Sequence, residues 1–156
     1  MSESKMPRFS AEEQQQNERE ARLQYGPDTV NKSVAKWNSY TDAEREAILA
    51  EQDAIYEGMA AALAAGTPAT DPDVREYVER WHQHIHNFYE PTLDMMRGLA
   101  DMYVMDARFR ATFEAFHADL PEYLQEAIVD YVDELETAEL ERMMAEDEAR
   151  ARRLGL

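Results

Sequence analysis

From Val30 onward the apolar residues of this chain recur every three or four positions, and a proline, a glycine or a capping residue cuts each run before the next begins. That period marks helices that bury one face. The clearest case opens at Asp71, a cap, with Pro72 in the first turn; Val74, Val78, Trp81, Ile85 and Phe88 then form a stripe that Pro91 closes. Before it, Tyr25-Gly26-Pro27 breaks the chain, Asp28 can cap, and Val30, Val34 and Trp37 share a face. Thr41 and Glu44 have capping-box spacing and open a longer helix with Ile48, Ile55, Met59 and Ala62 on one side, ended by Gly66 and Pro68. After Thr92 come Met95, Met96, Leu99, Met102 and Tyr103; after Asp106 come Phe109, Phe113 and Phe116; after Pro121 come Leu124, Ile128, Tyr131, Val132 and Leu135. No alternating strand pattern and no internal repeat occurs. The expectation is an all-α fold, a single domain of about six to seven helices.

The two ends depart from the pattern. Ser10 and Glu13 have capping-box spacing, but AEEQQQNEREARL carries almost no apolar stripe, and a short helix without one is marginal alone in water. The tail from Thr137 has only a weak stripe through Leu140 and Met143 and reads as a charged helical extension or a frayed end. The chain therefore divides into a flexible arm over 1–24, a helical body over 25–136 and a charged tail over 137–156.

The 156 residues hold 33 acids against 16 bases, a formal net charge of −17, which repels phosphate backbones and anionic lipid headgroups. Neither direct nucleic-acid binding nor membrane association is expected. The absence of cysteine removes disulfides, thiolate metal sites and a cysteine nucleophile. No segment resembles a signal peptide or approaches the roughly 18 apolar residues of a membrane span. A soluble, cytoplasmic protein is expected.

Three of the four histidines alternate in WHQHIHNFYEP, residues 81–91. On a strand they would share a face; on a helix a two-residue step turns them roughly 200° apart, so His82 and His86 align while His84 points away. His82 and His86 with Glu79 or Glu90 could in principle bind zinc or copper, but no HExxH accompanies them, and no native metal is expected. There is no GxSxG elbow, no activated serine and no glycine-rich phosphate loop, and His117 stands alone. The residues point to no enzyme and no cofactor. Methionines and phenylalanines concentrate between Phe88 and Phe116; most must be core, yet methionine-rich, aromatic-walled surfaces also recur in sites that take varied bulky ligands.

The stretch MRGLADMYVMDARFRATFEAFHADLPEYLQEAI, preceded by WHQHIHNFYEP, is similar to the TipAS antibiotic-recognition domain, the effector module of MerR-type multidrug regulators, which also occurs free-standing. The matching residues are Phe88-Tyr89, Met95 or Met96, Gly98-Leu99, Met102-Tyr103-Val104, Asp106, Arg108-Phe109 and Ala127-Ile128, and YGPDTVNKSVAKWNSYTDAE resembles the family's upstream segment more loosely. The resemblance runs from about Phe9 to Tyr131. It implies a globin-like fold without haem, a cleft for thiopeptides and other bulky peptide-like antibiotics, and a segment ahead of the core that folds over bound ligand. The weak helix of Ser10 to Leu23 suits such a lid, whose ordering would cost about 2 to 5 kcal/mol or more.

Two features depart from the family. Where its thiopeptide-binding regulator carries a cysteine able to trap ligand, this sequence has Pro91, so thiol capture is excluded. No winged helix or coiled coil precedes the domain, so a direct transcriptional switch is not expected, although a regulatory protein partner could supply the DNA contact. The expected function is non-catalytic, non-covalent sequestration of an antibiotic, giving drug tolerance and resistance by mass action. The expected cleft lining is Trp37, Tyr40, Trp81, Phe88, Tyr89, Met95, Leu99, Met102 and Tyr103, with His82 and His86 as polar anchors and Tyr25 closing the cleft with the arm. The alternative is a protein-interaction module whose acidic surface or methionine-rich groove takes a regulatory partner or an amphipathic helix.

Overall fold

The computed structural model describes residues 11–156, except the side chains of Ala11, Glu13, Gln14, Arg22, Gln24 and Tyr25. Seven helices account for the described chain: α1 (Ala11–Tyr25), α2 (Pro27–Ser39), α3 (Asp42–Ala64), α4 (Pro72–Ile85), α5 (Leu93–Met105), α6 (Ala107–Glu114) and α7 (Leu120–Arg153). No strand occurs among the described residues. None of these helices is long and apolar enough to cross a membrane.

Capping chemistry sets most of the starts. At α3 the Glu44 N–H donates to Thr41 Oγ1 at 3.1 Å while the Thr41 N–H donates to Glu44 Oε1 at 2.9 Å, a complete capping box. Asp71 accepts from the Asp73 N–H at 2.9 Å, Thr92 from the Met95 N–H at 3.1 Å, and Asp106 from the Arg108 N–H at 2.9 Å. The Ser10–Glu13 box lies outside the described residues. At α2 the expectation needs correction: Gly26, at φ +92°, is the N-cap, and Asp28 lies in the first turn, where its charge still complements the helix dipole.

Helix α7 is the spine, packing against α3, α4, α5 and α6, with α3 also on α4 and α1 on α2. The core gathers Ile55 and Met59 of α3, Val74, Val78 and Trp81 of α4, Met96 of α5, Phe113 of α6, and Leu120, Leu124, Ile128 and Val132 of α7, all essentially inaccessible. Gly58 sits where α3 meets α4: a Cβ there would lie 2.3 Å from the ring of Tyr77, so any other residue would push that half-buried ring aside. The divisions at 24/25 and 136/137 fall within α1 and α7; the latter runs through Thr137 without a break.

A second correction concerns the end of α4. The stripe predicts a helix through Phe88 to Pro91, but α4 ends at Ile85. His86, Asn87 and Phe88 instead donate to carbonyls three residues back, at 2.9 to 3.1 Å, which tightens the chain into a turn. The freed carbonyls find partners on α2 and its C-cap: Lys36 Nζ donates to the His86 oxygen at 2.6 Å and the Tyr40 hydroxyl to the Asn87 oxygen at 2.7 Å.

Candidate functional site

The same turn brings several predicted site residues together. Phe88, carried out of the α4 stripe, stacks on Trp37 of α2 with ring centroids 5.5 Å apart and planes at 24°. Tyr40 meets the Trp37 ring edge-on at 6.2 Å, and the Arg45 guanidinium stands 5.8 Å from the indole centroid. Trp37, Tyr40 and Phe88 are each half-buried, forming an aromatic seam between α2 and the body. On the α4 face beside the turn, His82 and His86 stack at 5.2 Å, and His82 Nδ1 shares a hydrogen bond of 2.8 Å with the Tyr131 hydroxyl. Burial, with a smaller contribution from His86, holds the His82 imidazole below its usual titration range and favours the neutral ring. His84 points the other way, as helical geometry requires, and is buried against Gln52 at 3.0 Å.

Other predicted lining residues lie elsewhere. Trp81 is inaccessible, and its indole N–H donates to the Tyr103 hydroxyl at 3.3 Å; Tyr103 and Leu99 are themselves buried. These three belong to the buried core. Tyr89 and Met102 are half-buried and pack on that core, and Met95 is half-buried on α5. The side chain of Tyr25 lies outside the described residues.

Sequence reasoning missed the groups that fasten the first two helices. The described side chains of α1 include no buried residue, and α2 buries only Val30, so apolar packing holds this pair weakly. Polar contacts do the fastening. Arg108, steadied by Asp106, reaches back to Asn17 at 2.8 Å and Glu20 at 2.7 Å, while Lys36 and Tyr40 hold the turn after α4. Asp106 and then Glu20 keep the Arg108 guanidinium above its ordinary range, and Gln16 and Arg108 keep the Glu20 carboxyl below its own. The sequence marks Arg108 only as part of the MYVMDARF stretch; nothing local reveals a contact 88 residues away. Because this contact is exposed, it can break readily. Arg108→Ala is therefore expected to speed amide exchange in α1 several-fold and leave Val74 to Ile85 unchanged in hydrogen-exchange mass spectrometry. Unchanged exchange in α1 would show that the contact does not fasten the arm.

No group of three or more histidines, aspartates or glutamates among the described residues is placed to hold a metal. The site offers flat apolar rings, two stacked imidazoles and hydrogen-bond donors at a seam whose outer wall is lightly attached. Residues 17–131 match the TipAS antibiotic-recognition domain. The chain is 32% identical over 126 residues to the HTH-type transcriptional activator mta of Bacillus subtilis, covering 80% of this chain and 48% of that protein. It is 31% identical over 129 residues to the HTH-type transcriptional activator TipA of Streptomyces coelicolor, covering 81% and 51% respectively. The chain thus spans about half the length of the curated relatives it matches. Its fold superposes on TipAS from a thiopeptide antibiotic multidrug resistance system of Streptomyces lividans, solved in complex with nosiheptide, with a TM-score of 0.69 and 28% identity over 81% of this chain and 96% of that one. The all-α, globin-like expectation matches the observed architecture, and the chain belongs to the TipAS antibiotic-recognition domain family.

Proposed function

We propose that this protein binds bulky, peptide-like antibiotics, thiopeptides among them, without catalysis and without a covalent bond, and lowers their free concentration by sequestration. The observation that carries the reading is the Trp37–Phe88 stack at a lightly held seam: a flat heteroaromatic ligand can replace one ring in that stack while the first two helices close over it. The relative solved with a bound thiopeptide supports this ligand class. Trp37, Tyr40 and Phe88 are the direct contacts, His82 and His86 the polar anchors, and Tyr89, Met95 and Met102 an adaptable flank. Trp81, Leu99 and Tyr103 belong to the buried core. The arm over 1–24, with Tyr25, serves as the lid of a binding body over 25–136.

Absence of cysteine makes binding reversible, since no thiol is present to add to a dehydroamino acid. A net charge of −17 sets the surface against direct contact with nucleic acid.

Nosiheptide titrated into the protein is expected to change tryptophan fluorescence, and Trp37→Ala to weaken binding by about 2 kcal/mol, roughly 30-fold, if the ring is a central contact. Denaturing mass spectrometry of the saturated complex is expected to return the unmodified protein mass. No binding of any thiopeptide would remove the proposal; unchanged affinity in a folded Trp37→Ala chain would remove the seam as the site; a surviving adduct would remove the non-covalent mechanism.

A further inference from the structure

The family match stops at residue 131, yet α7 continues to Arg153, and every side chain from Thr137 to Glu148 is exposed. At 1.5 Å per residue this part of the helix projects about 25 Å. Helical spacing puts Leu140, Met144, Ala151 and Leu154 on one side, opposite the side that buries Leu124, Ile128 and Tyr131. Leu140, Met144 and Leu154 are 53%, 67% and 64% exposed. With Asp147 they keep the alternating four- and three-residue spacing of a coiled-coil seam.

We propose that this segment is a dimerisation arm that pairs antiparallel with the same segment of a second copy of this chain. Charge selects the occupant. From Asp130 to Glu141 the helix carries six acids and no base, whereas residues 149–156 carry three arginines and no acidic side chain. Arg75 bridges Asp130 and Glu134, and Arg97 bridges Asp133 and Glu136, so two cations face four carboxylates and negative charge remains. Arg150 and Arg153 form no ion pair among the described residues. Parallel pairing would set acid against acid and arginine against arginine; antiparallel pairing sets each arginine tip on the other copy's acidic root, an arrangement that closes on itself by a twofold axis.

The register follows from the apolar pair. Placing Leu140 opposite Met144 of the second copy, and the reverse, brings Thr137 opposite Asp147, with Arg150 beside Glu136 on one flank of the seam and Arg152 beside Glu134 on the other. On that second flank Asp130, Asp133, Glu134, Thr137, Ala138 and Glu141 form an acidic surface of the helix, open to solvent, which receives the guanidinium group of Arg152 from the second copy. General repulsion between copies of charge −17 is screened beyond about 8 Å at physiological salt, while the paired groups at the interface lie within that distance.

The test is sedimentation of the full chain at physiological salt over a micromolar to submillimolar range. A monomer–dimer equilibrium is expected, and Met144→Glu, which lies on the projecting segment and touches no core residue, is expected to abolish it. Arg150→Glu/Arg152→Glu and Glu134→Arg/Glu136→Arg chains, each checked for helicity, are expected to be monomeric alone and to form a heterodimer when mixed. Because the chain has no cysteine, single cysteines report the register: oxidising a mixture of Thr137→Cys and Asp147→Cys chains is expected to give the mixed disulfide. A monomer at all concentrations, a dimer insensitive to Met144→Glu, no rescue on mixing, or a dominant 137-to-137 crosslink would each overturn the proposal.

Discussion

Trp81→Ala is expected to lower folding stability by about 3 to 5 kcal/mol, the range for deleting a large buried aromatic side chain. The indole has no accessible surface and stands edge-on to Tyr103 with centroids 6.5 Å apart. Its N–H reaches the Tyr103 hydroxyl. Truncation leaves a cavity between α4 and α5 and removes one hydrogen bond of that hydroxyl, beside the buried ring of Phe113. Urea unfolding followed by far-ultraviolet circular dichroism measures the loss. A change below about 1 kcal/mol would mean that the side chain is exposed in solution and would return Trp81 to the ligand-facing wall. The comparison with Trp37→Ala separates the two tryptophans: one change is expected to lower stability at the centre, and the other is expected to lower affinity at the seam.

Acid is expected to destabilise the protein through His84 well before the carboxylates titrate. Burial, opposed in part by the nearby Glu51 carboxylate, lowers this imidazole from 6.5 to about 4. Its Nε2–H donates to Gln52, leaving Nδ1 buried without a partner, so the folded state has no favourable place for a second proton. With the folded pKa depressed, the contribution is fully present above pH 6.5, where His84 is neutral in both states. It is lost as pH falls toward about 4, because the unfolded chain takes up a proton that the folded chain refuses. The loss amounts to roughly 3 kcal/mol over that window, about 1.4 kcal/mol per pH unit. Denaturant midpoints between pH 7 and 5.5, above most of the ordinary carboxylate range, check the slope. Subtracting the profile of His84→Gln isolates His84 from the partly buried His82, which shifts in the same direction. Parallel profiles for the two chains would show that His84 is protonated in the folded protein.

The sequence by itself determined the local elements of this protein. The 3.6-residue period of Val74, Val78, Trp81 and Ile85 made a helix whatever surrounded it, and the Thr41–Glu44 box, Asp71-Pro72, Thr92 and Asp106 placed helix starts through bonds that span two or three residues. It also determined that His82 and His86 would pair and His84 would not, since that depends on helical rotation alone. Tertiary structure decided everything that depends on what stands opposite. A stripe cannot say whether its aromatic ring meets the core or the rim, and so of two tryptophans alike in helical context Trp81 is fully buried and Trp37 only half-buried. The early end of α4 needed donors from Lys36 and Tyr40, about 50 residues away, to satisfy the carbonyls of the turn. Arg108 found Glu20 only because α1 folds back across the α5–α6 junction, and the arginine tip of α7 matters only against an acidic root that helix packing exposes. Periodicity and capping are properties of neighbours along the chain, whereas burial and ion pairing across the fold are properties of neighbours in space.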